Sequence, residues 1–404
     1  MVDAPVVPSK RGSCPFDPPD EYARLREEEP ISPITFKIAP GDPNGWLVTR
    51  HDYCRQILAD NRFSHRHELC AQLLAPPFPI EKYEPEPSAP GSFVRTDKPE
   101  HTKYRTLLTG HFTVRRIREY EPMLGELIEG VLDELETKER PLDLVKEFAE
   151  VIPARSVCSM MGVPAEMVDE LSGLFTKVFA FEYKSPEEFV HLMEELNRVL
   201  LELVELRKRE PSDDVFSSLL ATGELTDEEI ANMAWIVVGG ALDTTPNMMG
   251  LSTFALLQHP EQLEKFRNDP AVLDSSVEEL LRYLTVSQFG ASRAALEDVE
   301  IGGVTIKKGQ TVVLSLPAAN RDPEFFDNAD DLDVTRSARR HVSFGFGIHQ
   351  CLGQHLARAT LRIGLTKLFQ RFPTLRLAGA PEDVPLRETA MHYGADSLMV
   401  TWDD

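Results

Sequence analysis

The stretch Phe344-Gly-Phe-Gly-Ile-His-Gln-Cys-Leu-Gly353 limits the fold more than any other part of the chain. It sets Cys351 between a glycine-rich loop and a run from Leu352 to about Phe372. In that run Leu352, Leu356, Ala359 and Ile363 share one face at helical spacing. A residue just ahead of a helix meets free N–H groups and the positive end of the helix dipole, so the spacing predicts a stabilised thiolate. Gly345, Gly347 and Gly353 let the backbone approach something flat or large. Such a loop can present one sulfur to a metal centre. Two blander readings stand beside this one. A lone cysteine can be a small buried hydrophobe, and His341, His349, Cys351 and His355 can be a zinc cluster. Structural zinc sites mostly use paired Cys-x-x-Cys spacing, which this chain lacks.

A second constraint is a long helix. Thr226-Asp-Glu-Glu229 is a capping box with Leu225 and Ile230 placed as a staple, and the run it opens continues to about Gln258. A helix of about thirty residues spans about 45 Å, enough to cross a domain. Its middle, Trp235 to Leu242, is apolar on all sides, which predicts burial. Asp243 and Thr244 follow, and a buried acid and alcohol are costly unless satisfied. One reading has Thr244 bonding back to the Gly240 carbonyl while Asp243 finds a basic partner. In the other, Pro246 removes the bond to the Leu242 carbonyl and opens the helix, one turn after Gly239-Gly240 weakens it. An opened helix can hold water and O₂ beside a metal, with the acid and the alcohol relaying protons.

Elsewhere Asp20–Glu29 and His51–Asp60 read as helices, Trp46–Arg50 as a strand, and residues 64–95 as a long proline-rich loop. Leu124, Leu127, Ile128, Val131 and Leu132 mark a further helix face. After about Val286 short β-branched pieces follow, at 299–301, 304–306 and 311–314, with a hairpin turn at Gly302-Gly303. The chain reads as mainly α with a small β region built from N-terminal and 286–316 segments. Its 404 residues carry no linker, repeat or low-complexity tract, so one domain over 1–404 is expected although length alone suggests two or three. No stretch is apolar enough for a membrane span or a signal peptide, and five scattered cysteines suggest reduced thiols, so a cytoplasmic location is expected. A net charge of −23 argues against nucleic acid and anionic membranes as partners. Two local basic clusters, Lys103, Arg105, Arg115, Arg116 and Arg336, Arg339, Arg340, are either a solvated surface or a docking patch for an acidic redox protein.

These stretches resemble the cytochrome P450 monooxygenases. Phe344, Gly345, Gly347, His349, Cys351 and Gly353 match every fixed position of that family's haem-binding loop, Phe-Gly-x-Gly-x-His-x-Cys-x-Gly. The 240–244 segment resembles the oxygen-activation motif, with Ala241 where glycine is usual. Glu279-Leu-Leu-Arg282 with Arg336 resembles a pair that supports folding, and resemblance covers most of the chain from about Cys14 to the C-terminus. It implies the cytochrome P450 fold, with a long central helix over a haem b and the Cys-bearing loop on the other side. Cys351 is then the axial iron ligand, Phe344, Gly345, Gly353 and Ala241 border the haem, and His101, Arg105, Arg293 and His341 meet its propionates. Asp243 and Thr244 are the implied catalytic pair. The implied activity inserts one atom of O₂ into a lipophilic organic substrate, with electrons from NAD(P)H through a ferredoxin reductase and a ferredoxin, in a monomeric enzyme. Substrate walls are expected from the 64–95 loop, the Leu171–Val190 region with Phe175, Val178, Phe179, Phe181 and Tyr183, the kinked central helix, residues Val286–Ala291, and the turn Met391–Gly394. A peroxygenase, a nitric oxide reductase and a non-enzymatic haem sensor are the alternative readings.

Overall fold

A computed structural model describes residues 7–74, 84–180 and 183–403. Phe181 and the prolines between 76 and 79 lie outside the described residues. Helices dominate, and the 32-residue central helix Asp227–Gln258 organises them. It starts where its capping box puts it. The Thr226 hydroxyl accepts from the Glu229 N–H at 3.2 Å, and the Glu229 carboxylate accepts from the Thr226 N–H at 2.8 Å. Lys103 and Tyr104 also donate to Glu229, each at 2.8 Å, and tie the helix start to the helix Glu100–Thr109. Burial pushes the Glu229 carboxyl up, but Lys103, the Thr226 N–H and Tyr104 outweigh it and bring it down to about 2.

The two halves of the central helix lie in different cores. Ile230, Met233 and Val238 pack with Leu171, Phe175 and Leu200 of the helices Ala165–Ala180 and Pro186–Arg209. Met249, Leu251 and Phe254 pack with Ile128, Leu132 and Leu365 of the helices Val114–Glu136 and Gln354–Arg371. Burying each such side chain contributes about 1.5–3 kcal/mol relative to exposure. Between the cores the helix surface opens. Gly240 is exposed, and Trp235, Ile236, Val237, Ala241 and Leu242 are half-buried. The apolar run is therefore not buried all round, because its open sides face cavities. The helix runs on through Pro246 unbroken. There the Asn247 side-chain amide donates to the Asp243 carbonyl at 2.6 Å, adding a bond beside the carbonyl that proline leaves without its usual donor.

Strands from distant parts of the chain form one five-stranded sheet in the order Ile31–Thr35, Asn44–Val48, Thr311–Leu314, Ala291–Ala295, Phe63–Ser64. The Asn44–Val48 and Thr311–Leu314 pair is parallel and the others are antiparallel. This sheet joins the N-terminal and 286–316 segments and carries Arg293 on its fourth strand. Gly302-Gly303 turns a separate hairpin. Leu142–Asp143, Met399–Thr401 and Arg376–Leu377 form a third small sheet whose strands are too short to show alternation in sequence. Among the described residues no helix is long and apolar enough to cross a membrane.

Candidate active site

Backbone bonds close the loop ahead of Cys351. The Gly345 N–H donates to the Val342 carbonyl at 2.8 Å, and the Cys351 N–H donates to the Phe344 carbonyl at 2.9 Å. Gly347 has φ +76°, and a Cβ there would lie 2.5 Å from the Leu58 carbonyl oxygen, so no side chain fits. Buried Asn320 accepts from the Val342 N–H and donates to the Ser343 hydroxyl, each at 2.8 Å. Nearby, the Glu279 and Arg282 side chains are wholly buried and 2.8 Å apart. Arg282 also donates to the Asn320 and Ala329 carbonyls, and Arg336 Nε lies 3.1 Å from Glu279. A pair that is common by chance in sequence is here a buried network that grips the segment leading into the loop.

The helix begins at Gln354, three residues past Cys351. Burial pushes the Cys351 thiol up; the Gly353 and Gln354 N–H groups with Arg105 and Arg358 pull it down without overcoming burial. The helix-end argument for a stabilised thiolate is thus outweighed in the protein alone. Coordination to a metal ion would deprotonate the sulfur outright.

Cys351 opens onto a cavity of about 370 Å³. Phe344, Gly345, Leu352 and Gly353 line it on the cysteine side; Gly240, Ala241 and Thr244 line it on the central-helix side. Basic groups gather in the lining. Arg105 donates to the Gln350 carbonyl at 2.5 Å, and Arg293, 3% exposed, donates only to the Ser292 carbonyl among the described residues. The His349 ring stands between those of His65 and His101, with centroids 4.9 and 4.3 Å away. Both ring nitrogens of His101 and Nδ1 of His65 are buried without a hydrogen-bond partner. Burial lowers Arg293 to about 10; burial together with Arg293, His101 and Arg105 lowers His349 to about 3. Among the described residues no Asp or Glu lines the cavity beside these groups. A flat macrocycle carrying two carboxylates fits it: one sulfur faces the centre, glycines leave room for a plane, and Arg105, Arg293 and His349 line one side where the acids would lie.

The expected residues fall into place unevenly. His101 packs behind His349 and does not itself line the cavity. His341 was expected beside the propionates and is elsewhere: its Nε2 lies 3.2 Å from Glu278 and its Nδ1 accepts from the Ser343 N–H. His349, two residues before the cysteine, occupies the basic group instead, joined by His65, which no spacing marked. Thr244 lines the cavity and its hydroxyl donates to the Gly240 carbonyl at 2.7 Å. Asp243 is buried and bonds His392 at 2.6 Å. Both satisfactions that a buried acid and alcohol demand are therefore met. Among the described residues of 171–190 none lines this cavity; Phe175 and Val178 are core, and Ser172, Thr176 and Phe179 line a different cavity. His65, Phe93, Val94, Val286, Ala291 and His392 do line the cavity above Cys351. The basic clusters are mostly paired: Lys103 with Glu229, Arg115 and Arg116 with Glu119, and Arg336 with Glu279. Among the described residues no three His, Cys, Asp or Glu side chains gather as a metal cluster.

The family model of cytochrome P450 matches residues 169–391. Cytochrome P450-SU2 of Streptomyces griseolus is 40% identical over 99% of this chain and 98% of its own length. Pentalenic acid synthase of Streptomyces avermitilis is 36% identical over 99% of this chain and 98% of its own length. The crystal structure of CYP105P1 in complex with filipin I matches with a TM-score of 0.90 at 38% identity, covering 99% of both chains. The chain belongs to the cytochrome P450 family. It has that family's fold and is an oxidoreductase of the monooxygenase class, for which haem iron and O₂ are the family's cofactor and co-substrate. Further relatives are named as an N-oxygenase and a dihydroxylase, so the peroxygenase, nitric oxide reductase and sensor readings are not favoured.

Proposed function

We propose that the protein, acting as one domain over 1–404, hydroxylates a lipophilic organic molecule. The balance is RH + O₂ + 2 e⁻ + 2 H⁺ → ROH + H₂O. The electrons come from NAD(P)H through a ferredoxin reductase and a ferredoxin. The observation that carries this reading is the lone Cys351 sulfur opening onto a cavity lined by Arg105, Arg293 and His349 and, among the described residues, by no Asp or Glu.

In this reading the Cys351 sulfur would hold the haem iron. Arg105 and Arg293 would bind the haem carboxylates, with His349 and His101 behind them, while Phe344, Gly345, Gly353 and Ala241 would border the ring. When bound, haem would supply the oxygen activation, and thiolate ligation by Cys351 is the kind that favours it. The rest falls to the chain. Val94, Val286 and Ala291 give the substrate an apolar wall. Thr244 presents a hydroxyl in the cavity, and Asp243 sits one residue before it on the same helix, so the two are proposed to guide protons. Arg118, Arg339, Arg358 and Arg362 line a hollow at the helix that follows Cys351 together with Glu121, Asp274 and Glu278, which pair with Arg362 and Arg358, and this face is proposed to receive the acidic ferredoxin. Names among the relatives, pentalenic acid synthase and the filipin I complex of CYP105P1, support a search among natural products.

The test is reconstitution with a ferredoxin, its reductase and NADPH against a natural-product panel selected by the spin-state shift of the Soret band. Product that requires both ferredoxin and O₂ is expected. Turnover with peroxide alone and none with the electron-transfer chain would contradict the proposal.

A further inference from the structure

Asp243 stands at a partition between two cavities. The first is the one Cys351 opens onto, and His392 lines it. The second, about 640 Å³, is lined by Asp243 with Glu150, Asn247, Arg387, Glu388 and Asp396. The 2.6 Å contact between His392 Nδ1 and Asp243 Oδ2 crosses from one to the other. Among the described residues nothing else hydrogen-bonds the His392 ring.

The turn that carries His392 is fastened to its surroundings. The Tyr393 N–H donates to the Val286 carbonyl and its hydroxyl to the Pro15 carbonyl, each at 2.8 Å. Gln288 donates to the carbonyls of Arg387 and Glu388 at 3.3 and 3.2 Å. A Cβ at Gly394 would lie 1.8 Å from Asn247 Oδ1, so the turn sits against the central helix with no space for a side chain. A ring held this way has little freedom to follow the carboxylate, so it fixes where the carboxylate stands.

We propose that His392 is the positioning residue of Asp243. Its Nδ1–H holds the carboxylate at the partition, where it takes protons from water in the charged cavity and passes them to the Thr244 side. Without that donor the carboxylate turns into the charged cavity, toward Arg387, and proton delivery slows. The inference rests on the monooxygenase reading above and adds a partner for its acid.

The test uses the haem-loaded protein without substrate or redox partner. Two variants separate position from bulk: His392→Phe keeps a ring and removes the donor, and His392→Asn places an amide N–H where Nδ1 was. Each protein is reduced and mixed with O₂-saturated buffer in H₂O and in D₂O, and reoxidation is followed at the Soret band. Reoxidation several-fold slower in His392→Phe, with an altered solvent isotope effect, and recovery of both in His392→Asn are expected. Unchanged kinetics in His392→Phe, or no recovery in His392→Asn, would overturn the assignment. A second readout needs no variant kinetics: ¹⁵N spectra of the reduced carbon monoxide complex should place the proton on Nδ1 of His392, and a proton on Nε2 would overturn it. A parent protein without a thiolate-type carbon monoxide spectrum defeats the monooxygenase reading itself, whereas a normal spectrum with either negative result defeats only the role of His392.

Discussion

The loop before Cys351 and the stretch 239–247 of the central helix border the same cavity but are built in opposite ways. Around the loop, Asn320, Glu279, Arg282 and Arg336 leave almost no polar group unpaired, and Gly347 is pressed onto the Leu58 carbonyl. The helix stretch lies between two cores, carries a proline that leaves a carbonyl without its usual donor, and leaves Gly240 exposed. One side of the cavity is over-determined and the other is left open. Substitutions on the loop side should therefore damage assembly, and those on the helix side should damage proton traffic with little cost in stability.

The largest expected effect is at Cys351. Cys351→Ser should abolish the thiolate-type carbon monoxide spectrum and monooxygenase turnover together; retention of both would end the distinction between the two sides. Next comes Arg282→Ala. Removing one partner of a buried ion pair leaves an uncompensated charge, a loss of about 3–5 kcal/mol, and haem retention should fall with it. Denaturant unfolding checks this, and a loss below about 1 kcal/mol would place Arg282 among surface pairs.

A pH titration sharpens the loop side further. Burial pushes Glu278 up, but His341 and Arg358 outweigh it and hold it at about 2, below the ordinary 4.5. A depressed carboxyl adds stability that is complete above about 4.5 and is lost as pH falls toward 2. Glu229 acts in the same direction at the start of the central helix. Acid melts should lose stability over that window, and Glu278→Gln should flatten the loss; an equal slope in the variant would remove Glu278 from the account. The smallest effect on stability is expected at Thr244. Among the described residues its hydroxyl bonds only the Gly240 carbonyl of its own helix, so Thr244→Ala should cost no more than about 1 kcal/mol. It should nonetheless divert electrons from product to peroxide. Unchanged product per NADPH would deny the hydroxyl a part in proton traffic.

What the sequence disclosed follows the same division. The capping box located the first turn of the central helix, and the glycine and cysteine spacing located the loop, because both are hydrogen-bond patterns between residues a few positions apart. The partner of Asp243 was not legible. His392 lies 149 positions away on an irregular turn, and only the packed chain brings them together. The exchange of His341 for His349 has a related cause: one precedes the loop and the other lies within it, and the first is held by Glu278 away from the cavity. The basic clusters misled because charge counted along the chain says nothing of the carboxylates that fold against it, as Glu229 does with Lys103 and Glu279 with Arg336.

The most direct test of the central claim is the carbon monoxide difference spectrum of the reduced, haem-loaded protein. A strongly red-shifted Soret band is the predicted result, because Cys351 then holds the iron as a thiolate. A band at the position typical of histidine ligation, in a folded protein with full haem content, would contradict the assignment of Cys351 and the monooxygenase chemistry built on it.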